Sequence, residues 1–327
     1  MNPTLYPLLL ERTLSRRLWG GDRLQQRLQL EAPTPAGTDP LGEVWQVYKA
    51  NRIQNGALAG RTLAEVADQY GETLLGSASS QRYGNAVPLL AKFIDAATPL
   101  SIQVHPDDAY ARRVEAASGH LGKTEAWYII DATEDAHILW GFNQEVSAHS
   151  VRRAIDQGTL EDYVNIVPVQ AGDVIYNPAG TLHAIGAGII LFEIQQSSDL
   201  TYRVYDYQRR DAAGNLRELH VDKALEVLDL QAGEQAKVAP KQRDEQTLEL
   251  VRVDAFAMEL WHVNGQRHTH TEASSLEILT LLEGEVVLSS QHEPITLSAG
   301  MSGVLPATLG DYQLKGNASL LRCYLPA

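Results

Sequence analysis

The chain reads as a mainly β protein, a sandwich or barrel decorated by helices and built from two related units. Three observations predict this. Short apolar runs divided by glycine turns recur from Glu43 to the C-terminus, the pattern of many short strands. Helical spacing is confined to patches at about 56–78, 107–118 and 145–163, with one further stretch near Val221–Leu230. The span Gly172–His183, with Pro178 six residues after its first glycine, has a degenerate copy at Gly300–Asp311, with Pro306 at the same offset and Asp311 in place of His183. The repeat divides the 327 residues into a unit over 1–240, which carries the helical insertions, and a degenerate unit over 241–327.

Taken in order, residues 1–50 are extended and turn-rich, with a turn at Leu18–Asp22 and a loop by composition over 31–40. Residues 43–48 alternate as a strand. After Thr62, an N-cap residue, Leu63, Val66, Ala67 and Tyr70 recur at helical spacing, as expected of a covering helix. Residues 88–95 and 100–105 read as buried strands. Gln103 and His105, two apart, project from one face. Pro106 ends that strand, and a helix follows from Asp107. The turn at 119–122 leads into a strand over 123–130 that places Lys123 and Glu125 on one face. Residues 145–163 form one or two surface helices; 164–169 and 172–176 return to strand. The region 207–246 is charged and loop-like, and strands resume from Leu248.

Composition narrows the function. Hydrophobic content of 44% and charged content of 21% fit a globular protein, and a net charge of −14 argues against nucleic acid or an anionic membrane as the main partner. An anionic small molecule stays open, provided its site concentrates Lys and Arg locally. Cys323 is the only cysteine, so neither an intrachain disulfide nor a thiolate zinc cluster is available. The first fourteen residues have no basic region or long apolar run, so neither a signal peptide nor a span is expected, and a cytoplasmic setting is.

The Gly–Pro–Gly–His pattern resembles the second motif of the cupin superfamily, and Gln103, His105 and Glu125 resemble the first. More specifically, four blocks in order resemble the type I mannose-6-phosphate isomerases of the short bacterial kind: LSIQVHPDDAYA (100–111), GKTEAWYII (122–130), PAGTLHAIGAG (178–188) and EIQQSSDLTYRVYD (193–206). Weaker matches at LWGG (18–21), GEVW (42–45) and LLEGEV (281–286) extend the resemblance over nearly the whole chain. It implies two cupin-like jelly-roll β domains, one Zn²⁺ per chain, and interconversion of mannose 6-phosphate and fructose 6-phosphate through an enediol-type intermediate.

Two imidazoles, a carboxylate and an amide oxygen from Gln103, His105, Glu125 and His183 suit a catalytic zinc with a labile position. The resemblance makes His105, Glu125 and His183 the ligands, with Gln103 the fourth. It also assigns Arg203 to catalysis, where a fixed guanidinium can stabilise oxyanion charge; a salt bridge to Asp199 or Asp206 is its alternative role. Lys123 and Ser101 are implied in the substrate site, Ser101 near the phosphate. Glu193 and Gln195 share a strand face, and either is placed for proton transfer or substrate support, with the identity of the base left open.

Three departures from the family pattern stand out. Val44 and Gln46 replace a serine and a glutamate, which puts substrate contacts at that wall in question. The asparagine of the general cupin second motif is absent. His268-Thr-His270 is an added histidine pair; with Glu277 it offers a second metal set, but the spacing to Glu277 favours a solvent-facing loop pair. Two other functions fit part of the pattern: a non-catalytic metal-containing sugar-phosphate-binding or regulatory homologue, and a cupin oxygenase using iron. Lys123 and Arg203 weigh against the second of these, and the EIQQSSD and TYR segments weigh against the first.

Overall fold

Period-two alternation sends successive side chains of the central strands of the first unit into two different cores. A computed structural model describes residues 4–30, 37–210 and 214–327. Six of the ten residues of the loop expected at 31–40 lie outside those described. The first unit holds a six-stranded sheet in the order Thr13–Gly21, Leu41–Val47, Leu89–Ala96, Ile189–Gln196, Glu125–Ala132, Val174–Asn177. Facing it is a five-stranded sheet in the order Tyr202–Tyr205, Ile102–Val104, His183–Ile185, His137–Phe142, Val164–Pro168. Both are antiparallel throughout. The central strands Leu89–Ala96 and Ile189–Gln196 are buried at every position, Lys92, Asp95, Glu193, Gln195 and Gln196 included.

The two sheets close on an interior built from Ile94, Trp127, Ile129 and Leu191 on one side and Ile138, Trp140 and Ile185 on the other. The opposite face of the six-stranded sheet presents Val44, Phe93, Ala126, Phe192 and Ile194 to a second core. That core is completed by Leu63, Val66, Leu74 and Leu75 of the helical insertion and by Phe256, Met258, Ile278 and Leu321 of the C-terminal unit. Burying one such large side chain contributes about 1.5–3 kcal/mol, so this seam stabilises both units together. The outer face of the five-stranded sheet packs Val104, Leu182 and Ala184 against Tyr110, Val151, Ile155 and Ala224, which lie on the helices Asp108–Val114, Ala148–Gln157 and Val221–Val227.

The helices begin where local chemistry directs. Thr62 and Glu65 form a reciprocal cap, with the Glu65 N–H donating to Thr62 Oγ1 at 3.2 Å and the Thr62 N–H donating to Glu65 Oε2 at 2.7 Å. The first helical patch runs on through Glu72–Leu75 to Ser77–Tyr83, beyond the 78 expected, and fastens to the C-terminal unit by backbone bonds such as Ala78 N–H to Ser274 O at 2.9 Å.

The C-terminal unit is an eight-stranded sheet dominated by Phe256–His270, Glu277–Ser289 and Asp311–Tyr324, curled over Trp261, Val263, Leu281, Leu305 and Leu320. The N-terminal Leu8–Leu9 crosses to it and pairs with Ser302–Leu305. The fold is therefore mainly β, two cupin barrels with helical insertions. The repeated turn glycines Gly172 and Gly300 take φ of +91° and +79°, a conformation that suits glycine at low cost.

Candidate active site

Alternation within the first barrel decides which polar groups point inward. Across the six-stranded sheet Trp45, Lys92, Glu193 and Trp127 are successive register partners. Across the five-stranded sheet Arg203, Gln103 and His183 are register partners in the same way. Every one of these lies on the face that looks into the barrel or onto its mouth, so two short rows of chemistry face one another.

His105, Glu125 and His183 form the only group of three or more His, Cys, Asp or Glu, among the described residues, whose donor atoms lie within 4.8 Å of one another. His105 Nε2 is 3.5 Å from Glu125 Oε2, and His183 Nε2 is 3.3 Å from Glu125 Oε1. All three are buried. The other ring nitrogens donate to backbone: His105 Nδ1–H to Leu200 O and His183 Nδ1–H to Thr181 O, both at 2.9 Å. These bonds fix the tautomer and leave both Nε2 lone pairs facing the carboxylate. Gln103 sits with its amide 3.4 Å from His183 Nε2, and a half-turn of that amide presents its oxygen to the same point.

The electrostatics suit a cation. Burial lowers both imidazole pKa values, reinforced by the charge of Lys123, so the rings are neutral. Burial alone would raise the Glu125 carboxyl, but the charge and hydrogen bond of Lys123 outweigh it and hold it well below the usual range. Two neutral imidazoles and one carboxylate are a zinc-type donor set. His105 Nε2 is buried without a hydrogen-bond partner, which is costly unless an ion meets it. The residues fit a metal.

A ladder of buried charge leads away from the trio. Lys123 Nζ lies 2.8 Å from Glu125 Oε2 and 3.7 Å from Glu193 Oε1; Lys92 Nζ lies 3.2 Å from Glu193 Oε1 and 2.9 Å from Glu43 Oε1. Trp127 donates to Glu193 Oε2 at 3.0 Å. Alternating sign offsets the desolvation that any one of these charges would incur alone. Burial, then the charge of Glu125, raises the Glu193 carboxyl against the pull of Lys92 and Lys123.

The ladder forms one wall of a cleft of about 480 Å³ that also takes in Arg16, Arg17, Trp19, Asp39, Ser101, Gln103, Asp199, Arg203 and Arg217. Six Lys and Arg line it against four Asp and Glu. The acidic chain thus keeps a locally cationic cleft, as an anionic ligand requires.

The residues singled out in the sequence separate here. Ser101, Gln103, Lys123, Glu193 and Arg203 line the cleft, with His105, Glu125 and His183 beneath it. Arg203 does not pair with Asp206, which is held by Arg209 and Arg217. Gln195 shares the inward face of its strand but is not on the cleft; its Nε2 donates to Gln196 O at 2.9 Å and to Ser198 O, holding the turn that follows. Val44 and Gln46 are not on the substrate wall either. Val44 is fully buried in the seam core, and Gln46 Oε1 accepts from Ser302 Oγ of the C-terminal unit at 3.1 Å, so the wall is made by Glu43. His268 and His270 are exposed on a strand rather than in a loop, and Glu277 is apart from them, bound by Tyr312 and Arg322.

Lys92, Glu43, Arg17 and Arg217 were not singled out. A lone lysine inside the apolar run PLLAKFID was a usable signal, because an isolated cation there must find a buried partner. Arg217 sits in a charged loop and offered none.

Fold and site together define a double-barrel cupin protein with a metal-ligand trio beneath a cationic cleft. A family model described as phosphomannose isomerase type I, catalytic domain, matches residues 8–126, and one described as mannose-6-phosphate isomerase, cupin domain, matches residues 246–325. The mannose-6-phosphate isomerase of Streptococcus mutans is 35% identical over 322 residues, covering 96% of this chain and 97% of that protein. ManA of Bacillus subtilis, a mannose-6-phosphate isomerase, is 34% identical, covering 98% of this chain and 100% of its own length. The crystal structure of a mannose 6-phosphate isomerase from B. subtilis superposes with a TM-score of 0.86 at 32% identity, covering 97% of this chain and 99% of that one. The chain belongs to the type I phosphomannose isomerase family.

Proposed function

We propose that this chain is a zinc-dependent isomerase that interconverts mannose 6-phosphate and fructose 6-phosphate by proton transfer through an enediol. The observation that carries the reading is the buried trio of His105, Glu125 and His183 opening onto a cleft with an excess of cationic side chains.

His105, Glu125 and His183, with the Gln103 amide, would hold the zinc, which when bound polarises and orients substrate oxygens. The remaining chemistry falls to the chain. The guanidinium groups of Arg16, Arg17 and Arg217 give the cleft mouth the charge to seat a phosphate dianion, leaving the sugar carbons toward the ladder. Glu193 is the group we assign to proton transfer: it takes the proton from C2 of the aldose and returns one to C1, while O1 gains and O2 loses a proton. Its raised pKa brings it closer to a working acid–base at neutral pH than an ordinary carboxylate. Lys123 holds the ladder in register and can donate to substrate oxygen. Arg203 stabilises the enediolate charge without titrating.

The test is a coupled isomerase assay on purified protein before chelation, after it, and after zinc is restored, with Glu193→Gln alongside. Turnover should vanish on chelation and return with zinc, and Glu193→Gln should lose about 10²–10⁴-fold in kcat. A zinc-loaded protein that binds mannose 6-phosphate without turning it over would instead establish a non-catalytic sugar-phosphate-binding homologue.

A further inference from the structure

We propose that His220, from a segment outside the metal trio and itself not on the cleft lining, is the positioning residue that seats Arg203. The inference rests on the reading of Arg203 as catalytic.

Arg203 lies on Tyr202–Tyr205, the end strand of the five-stranded sheet, so one side of its backbone has no neighbouring strand. An unpaired edge next to a cleft is a poor platform for a group that must be placed to within a fraction of an ångström. His220 supplies the missing neighbour. The Arg203 N–H donates to His220 Nδ1 at 3.2 Å, and the His220 N–H donates back to Arg203 O at 2.7 Å. Two residues earlier, Glu218 O accepts from Arg203 Nη1 at 2.9 Å. Backbone donor, backbone acceptor and guanidinium are thus all held by one short segment. The same segment carries Arg217, whose bonds to Asp206 tie it to the end of the Arg203 strand.

The residue type is informative. His220 immediately precedes the helix Val221–Val227, where a side-chain acceptor ordinarily caps its own helix. His220 makes no such cap bond. Its acceptor goes to Arg203 instead, which requires the Nε2–H tautomer with Nδ1 bare. Ring contact with Tyr202, at a centroid distance of 6.2 Å, keeps the imidazole in that orientation. An asparagine can place Oδ1 where Nδ1 now sits; alanine cannot accept, and the longer glutamine carries its acceptor about one bond too far.

The experiment compares His220→Ala, His220→Asn, His220→Gln and Arg203→Ala in the zinc-loaded full chain, reading kcat, KM and bound metal per chain. His220→Ala and His220→Gln should lose about 10- to 100-fold in kcat, the scale of a displacement of about 1 Å, with bound metal unchanged. His220→Asn should return to within a few-fold of the parent. If His220→Ala keeps the parent kcat while Arg203→Ala is inactive, the positioning role is wrong and the reading of Arg203 stands. Should Arg203→Ala itself keep full turnover, that reading fails and the role of His220 falls with it. If His220→Ala does not fold, the contrast between the Asn and Gln variants decides: equal kcat in the two overturns the proposal.

Discussion

Two buried carboxylates occupy matching places in the two barrels and have opposite surroundings. Glu125 opens the strand Glu125–Ala132 and pairs with Asn177, five residues after Gly172. Glu277 opens Glu277–Ser289 and pairs with Leu305, five residues after Gly300. Around Glu125 stand two imidazoles with free Nε2 lone pairs and the Lys123 ammonium. Around Glu277 the Tyr312 hydroxyl donates at 2.9 Å, and Arg322 closes the other side while also binding Glu259. One barrel sets imidazole lone pairs beside its carboxylate, a donor set that can take up a metal; in the other a hydroxyl and a guanidinium close the carboxylate off. The same scaffold makes a reactive site or a structural core according to whether the cation is exchangeable.

The largest contrast comes from removing each carboxylate. Glu125→Ala should abolish bound metal and lower turnover by at least about 10²–10³-fold while the fold persists. Glu277→Ala should leave metal per chain and kcat close to the parent but cost about 3–5 kcal/mol, because Arg322 is left buried without its main partner. Metal analysis, steady-state kinetics and urea unfolding separate the two; loss of metal in Glu277→Ala would break the comparison.

A smaller effect concerns pH. Burial alone would raise the Glu43 carboxyl, but Lys92 and Arg17 outweigh it and lower it to about 2. A carboxyl depressed on folding contributes stability that is present above its unfolded value of about 4.5 and is lost as pH falls through about 2. Glu43→Gln should therefore destabilise the protein more at pH 7 than at pH 3, as read from urea midpoints of the metal-free chain. An equal loss at both values would mean that the ladder is not ionised as drawn.

The smallest effect is an expected silence. Replacing both His268 and His270 by alanine should change neither kcat nor bound metal per chain by more than about twofold, since surface substitutions away from special features rarely matter. A fall in bound metal would give the second barrel an ion after all.

Much of this was legible before any coordinates. The period-two pairs Gln103/His105 and Lys123/Glu125 point into one site, because alternation in a strand is local and needs no knowledge of its neighbours. Thr62 begins a helix, the helix at Asp108–Val114 follows the Asp expected at its start, and Ala148–Gln157 falls within the helical stretch expected over 145–163. Alternation also separated Glu193 from its apolar neighbours, yet it could not separate Glu193 from Gln195, since both share one face. What distinguishes them is a turn that captures the Gln195 amide.

The sequence by itself determined the β class and the inward-facing pairs Gln103/His105 and Lys123/Glu125, because glycine turns and strand period are properties of short stretches. Only the tertiary structure decided that Val44 and Gln46 face the seam, that Glu43 and Lys92 extend the charge ladder to the cleft mouth, and that His220 completes the edge beside Arg203. Those facts depend on which strands become neighbours and on where a distant loop comes to rest. Register across a sheet and partners at its edge are set by long-range packing, which no local pattern encodes.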